Sequence, residues 1–242
     1  MLTALFAVGF PVLVLLIAPA VILNDKLYGR YRGWNRNYRI FAWVFKIGNL
    51  ALGIRTTLQY EAYHDAKKNY VFILNHTSYY DIPNLLLAIN QPIRVLGKTG
   101  PNKLPLFGYY YKKSTIMVNR ISAESRLSSL QKLKHYLRAG VSIVVFPEGT
   151  FNQTNKPLKE FYNGAFSLAI ETQTNIKPIL MLNSSSILPS SGLGLSNGQN
   201  IIIYLPEISV QNLTTADTTR LKQYTYSIME SALQRYNAAH VG

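Results

Sequence analysis

His76 and Asp81, the ends of His76-Thr77-Ser78-Tyr79-Tyr80-Asp81, are the pair in this chain best suited to move a proton. An imidazole that donates one N–H to a carboxylate is locked in one tautomer, and its other nitrogen is left as a general base. The spacing restricts how the two can meet. On a regular helix, five steps of about 100° place two side chains roughly 140° apart. His76 must therefore precede a helix and Asp81 must lie in its first turn, with the loop between them folded back. The preceding run, Tyr70-Val71-Phe72-Ile73-Leu74-Asn75, is apolar and reads as a buried strand. Loops at the ends of strands are where a rigid scaffold presents reactive groups. An ordinary turn histidine is the competing reading of these six residues.

Three further segments could supply the rest of a site. Phe146-Pro147-Glu148-Gly149-Thr150 closes an apolar run at 142–145. Gly149 permits a tight turn, and Glu148 would stand at the carboxyl edge of a sheet, where α/β folds bind ligands. The plainer alternative is a turn with a solvated glutamate. The stretch from Gly108 ends in Ile116-Met117-Val118-Asn119-Arg120, and an arginine at a strand end can clamp a phosphate with two hydrogen bonds or stand solvated. Ile176-Lys177-Pro178-Ile179 sets a proline inside an apolar strand, which points to an edge or a bulge.

The elements that must position these groups alternate along the chain. Strands are expected at 55–61, 70–74, 93–97, 115–119, 141–146, 176–182 and 200–205. Helices are expected at 81–89, 122–139, 162–172 and 218–236. The second carries Leu127, Leu130, Leu133 and Leu137 on one face, with Gly140 as its stop. Such alternation predicts an α/β domain with a mixed, mostly parallel sheet flanked by helices. The loop 184–198 is of the length that borders ligand sites.

Composition narrows the chemistry. In 242 residues, 48% hydrophobic and 12% aromatic, there is enough apolar side chain for a full core. The absence of cysteine removes thiol nucleophiles, cysteine-ligated metals and disulfides. The four histidines show no zinc spacing, so no metal is expected. The net charge of +14 calls for an anionic partner, and no nucleic-acid-binding motif accompanies it. The amino terminus favours a membrane. Residues 1–23 carry no charged side chain, and Lys26, Arg30, Arg32, Arg36 and Arg39 follow them, the mark of a cytoplasmic flank. Ala18-Pro19-Ala20 imitates a signal cleavage site, but no Lys or Arg precedes the apolar run. An uncleaved anchor is expected, followed by an interfacial helix over 40–54. The chain thus divides into a membrane-anchoring segment, 1–54, and a catalytic domain, 55–242.

In order and spacing, the four blocks His76/Asp81, Gly108–Arg120, Pro147–Thr150 and Pro178 resemble the glycerolipid acyltransferases, specifically the PlsC-like 1-acylglycerol-3-phosphate acyltransferases. The resemblance covers roughly 55–210, and Lys98 matches a family lysine between the first two blocks. It implies transfer of an acyl group from acyl-coenzyme A or acyl-carrier protein to the sn-2 hydroxyl of lysophosphatidic acid, at the cytoplasmic face of a membrane, with no cofactor. It assigns His76 and Asp81 to catalysis, and Lys98, Arg120, Glu148, Gly149, Thr150 and Pro178 to substrate binding. Another lyso-lipid acceptor, or a lipid-binding protein without turnover, are the alternatives. The chain departs from the family pattern at Phe151, in place of an arginine, at Asn119, in place of an aspartate, and at Tyr162, in place of a lysine. Lys156 and Lys159 lie close by in sequence.

Overall fold

The computed structural model describes the backbone of residues 2–100, 107–119 and 122–240, and their side chains except at 2–17, 25, 29–35, 107, 110, 123, 237, 239 and 240. The elements run α1 (Leu2–Ala51), β1 (Ile54–Tyr60), β2 (Val71–Leu74), α2 (Asp81–Ala88), β3 (Ile93–Lys98), α3 (Phe107–Ser114) and β4 (Thr115–Val118). They continue with α4 (Ala123–Arg138), β5 (Ser142–Val145), α5 (Gly164–Thr172), β6 (Ile176–Leu182), α6 (Ser184–Ile187), β7 (Gly198–Tyr204) and α7 (Thr218–His240). All seven expected strands are present, with ends displaced by a residue or two. The short helices α3 and α6 were not foreseen.

The strands form one sheet in the order β1-β7-β6-β2-β5-β3-β4. Each neighbouring pair is parallel except β6 with β7. β2, and β5 after Ser142, read as apolar runs because both of their faces are covered. Val71, Ile73, Ile143 and Val145 pack with side chains of α4, α5 and α7 on one face. Phe72, Leu74 and Val144 pack with α2 and Tyr38 of α1 on the other.

Two expectations need correction. Pro178 is not on an edge: β6 is an interior strand, buried along its whole length, with Pro178 in register with Ile73. Its missing N–H is tolerated because that side of β6 faces a point just past the last residue of β7, where Leu205 N–H donates to the Pro178 carbonyl. The stretch 40–54 is not a separate helix either. Residues 40–51 are the end of α1, which runs unbroken to Ala51 and docks on α2, and Ile54 already begins β1. The Tyr38 hydroxyl donates to the Leu85 carbonyl, and the Tyr80 hydroxyl to Asn49 Oδ1 at 2.8 Å. Asn49, a polar interruption in the apolar sequence, is thereby buried and partnered. Among the described residues no helix is long and apolar enough to cross a membrane. The side chains of 1–17, on which the anchor expectation chiefly rests, lie outside the described residues.

Tyr80→Phe should lower unfolding stability by about 1–3 kcal/mol, because it leaves the buried Asn49 oxygen without its donor. Denaturant melts of the detergent-solubilised proteins measure this directly.

Candidate active site

β2, β5, β3 and β4 lie side by side and parallel, so the segments that follow them emerge on one edge of the sheet. That edge receives His76, Glu148, Lys98 and Asn119. Asn75 prepares the first of them. Its amide donates to the Met181 carbonyl at 2.9 Å and its oxygen accepts the Met181 N–H at 2.8 Å. A side chain thus stands in for one more rung of the β2–β6 ladder and fixes the point at which the chain leaves the sheet.

The loop then folds back as the spacing demands. Asp81 is the first residue of α2, and its Oδ2 lies 2.9 Å from His76 Nδ1. The same oxygen accepts the N–H of Thr77 at 2.8 Å and of Ser78 at 2.9 Å. One buried carboxylate therefore sets both the path of the loop and the imidazole's tautomer, with the proton on Nδ1. His76 Nε2 has no hydrogen-bond partner among the described residues, and the His76 side chain keeps 14% of its surface exposed. Ser78, fully buried, accepts the Tyr80 N–H and donates to the Leu188 carbonyl. This joins the loop 184–198 to the site it was expected to border.

Glu148 grips the same histidine from behind. Its Oε1 accepts the His76 N–H and its Oε2 the Lys159 N–H, each at 2.9 Å. Asn152 N–H donates to the His76 carbonyl at 2.7 Å. Glu148 is wholly buried, and burial pushes its carboxyl up to about 7 against the lowering effect of the two N–H donors. The structure thus sets Glu148 among backbone amides rather than on a surface open to substrate. Gly149 follows at φ +75°, in the left-handed region that a side chain resists, and Lys159 Nζ donates to Thr150 Oγ1 at 2.8 Å.

Aromatic rings enclose the imidazole. Phe146 stacks on it at 4.1 Å between centroids, Phe151 meets it edge-on at 4.4 Å, and Tyr79 braces Phe151 at 4.7 Å. Sequence reasoning noticed Phe151 only as a departure and overlooked Phe146, Asn75 and Ser78. The one available signal was their adjacency to the His76 and Glu148 blocks.

His76, Asp81, Glu148, Gly149 and Thr150 are therefore gathered into one cluster. Lys98 ends β3 on the same edge but is exposed. Pro178 lies within the sheet, and Arg120 lies outside the described residues. Among the described residues no group of three or more metal-ligating side chains is placed to hold an ion.

The sequence model of the Acyltransferase family matches residues 55–182. The chain belongs to that family. It is 32% identical over 124 residues to a 1-acyl-sn-glycerol-3-phosphate acyltransferase of Chlamydomonas reinhardtii, covering 51% of this chain and 37% of that one. It is 32% identical over 110 residues to a lyso-ornithine lipid O-acyltransferase of Pseudomonas aeruginosa, covering 45% and 41%. The chain thus spans less than half the length of these two curated relatives. Its fold resembles the crystal structure of the 1-acyl-sn-glycerophosphate acyltransferase PlsC from Thermotoga maritima, with a TM-score of 0.81, 18% identity, and 98% and 95% of the two chains covered.

The Glu148 carboxyl holds its proton in the folded protein up to about pH 7, whereas in the unfolded chain it releases it near the ordinary 4.5. Folding stability therefore falls as pH rises between those values and levels off above about pH 8. Relative to Glu148→Gln, which cannot titrate, the wild type should lose about 1–3 kcal/mol over this window. Parallel denaturant melts from pH 4.5 to 8.5 measure the difference.

Proposed function

We propose that this protein is a 1-acylglycerol-3-phosphate acyltransferase, moving a fatty acyl group from acyl-coenzyme A or acyl-carrier protein to the sn-2 hydroxyl of lysophosphatidic acid. The observation that carries the reading is the 2.9 Å contact between His76 Nδ1 and Asp81 Oδ2, which frees Nε2 for proton transfer. Nε2 takes the proton of the acceptor hydroxyl as its oxygen attacks the thioester carbonyl. The tetrahedral adduct collapses with loss of the C–S bond, and the proton passes from His76 to the departing thiolate. Asp81 steadies the imidazolium in between. The substrate alcohol is itself the nucleophile, so no covalent acyl-enzyme is required. A base of this kind contributes roughly 10²–10⁴ in rate, and alignment of the two substrates supplies much of the rest. The ammonium of Lys159, beside Thr150 on the rim, favours an acceptor with a phosphate. The apolar ring of Phe151 against His76 favours a second reading, an uncharged or zwitterionic lyso-lipid.

The acceptor and product of either reaction are bilayer lipids, and α1 supports work at a membrane surface. Arg36, Arg39, Trp43, Lys46, Ile47 and Leu50 recur at helical spacing of three and four residues, and all six are exposed. A single stripe of basic and apolar side chains suits an anionic bilayer.

Acyl-transfer assays with lysophosphatidic acid, lysophospholipids and an amino-acid lyso-lipid, each with both donors, test the reading. Lysophosphatidic acid should be the preferred acceptor. Turnover confined to another lyso-lipid would replace it with the second reading. His76→Ala should abolish transfer in protein that still folds cooperatively, and Asp81→Asn should lower kcat by about 10²–10⁴ through the wrong tautomer. In flotation on anionic vesicles, Trp43→Asp/Leu50→Asp should bind less than wild type. Unchanged flotation would remove this stripe from the membrane contact.

A further inference from the structure

We propose that Phe151, braced by Tyr79, is a specificity-determining residue that makes His76 activate a lipid hydroxyl and not water. A general base that can deprotonate an alcohol can deprotonate water, and an acyl thioester bound beside it would then be hydrolysed. Nothing in the chemistry of imidazole prevents this, so the surroundings must. Here the ring of His76 is covered on its flat side by Phe146 at 4.1 Å and at its edge by Phe151 at 4.4 Å. Phe146 belongs to the sheet core and is 8% exposed. Phe151 instead lies on the loop after the Glu148 turn, between His76 and the 54%-exposed Tyr79, which contacts it at 4.7 Å. The Phe151–Tyr79 pair is therefore the solvent-side wall of the base. The wall is apolar, so water that reaches it finds no hydrogen-bond partner, whereas the acyl chain and glycerol carbons of a lipid lie against it without loss. If the wall is opened, water attacks the acyl carbonyl and the C–S bond breaks. The proton passes through His76 to the thiolate, releasing a free fatty acid and a thiol.

The inference rests on the acyl-transfer reading, but its assay does not need the acceptor to be known. Thiol release from a long-chain acyl-coenzyme A is followed without acceptor and with lysophosphatidic acid, alongside acylated lipid, for wild type, Phe151→Leu, Phe151→Ser and Tyr79→Ala. Phe151→Ser should raise acceptor-independent thiol release on the order of tenfold over wild type, while Phe151→Leu, still apolar, gives a much smaller rise. Tyr79→Ala, at an exposed position, should raise it the same way by less, and it carries the test should Phe151→Ser not fold. Adding His76→Ala to either variant should abolish the gained hydrolysis. Unchanged acceptor-independent thiol release in both Phe151→Ser and Tyr79→Ala, or a gain that survives His76→Ala, overturns the proposal. Wild type that acylates no acceptor overturns the acyl-transfer reading alone, since the rise in His76-dependent hydrolysis on opening the wall is scored separately.

Discussion

A carboxylate taken out of water must be met by hydrogen-bond donors or it costs several kcal/mol. Asp81 and Glu148, both fully buried, stand under that requirement side by side. The donors they find are largely main-chain amides: Thr77 and Ser78 for the first, His76 and Lys159 for the second. The loop has its shape because those N–H groups must point inward at two acids. His76 is held at its backbone by one acid and at its ring by the other, which leaves few degrees of freedom at Nε2. Further tethers depend on this arrangement. Asn75 extends the sheet up to the loop, and Ser78 draws in the segment that ends at Leu188.

The same bonding links the site to the helix that faces outward. Tyr80, the residue before Asp81, reaches Asn49 near the end of α1, and Tyr38 further up α1 reaches the α2 backbone at Leu85. The stripe of arginine, lysine and tryptophan on α1 is therefore in rigid register with the histidine. The chain's large positive charge and the site's two acids are kept apart: the acids are inside, with Asp81 receiving all of its donors on Oδ2, while the α1 cations lie on the surface.

How much of this was legible in the sequence follows from what kind of signal each feature leaves. The central strands were readable because a doubly covered strand is built almost wholly of apolar side chains, as Val71–Leu74 and Ser142–Val145 after its first residue are. The His76–Asp81 contact was readable because helix geometry admits one arrangement for that spacing. The clamp that Glu148 makes on His76 left no trace in the sequence because its partners are backbone amides, which every residue carries and no side-chain pattern reveals. Pro178 suggested an edge, since the end of a neighbouring strand beside it is a tertiary fact. Lys46 and Asn49 interrupt the apolar stretch 40–54 and so suggested an interfacial helix. Asn49 sits there because its amide donates to Thr56 Oγ1 at 3.3 Å and its oxygen accepts from Tyr80, a partner 31 residues away.

Glu148 holds His76 across 72 residues, and the second amide that it requires arrives 11 residues later still, at Lys159. Contacts of such long separation form late, after the costs of loop closure have been met by the sheet between them. A chain emerging from the ribosome therefore carries its histidine and aspartate for a long interval before the glutamate that holds their loop has been made. Until β5 has been laid beside β2, the histidine-bearing loop lacks its second clamp. The geometry around His76 is in this sense a readout of completed folding, because it draws on both halves of the chain at once.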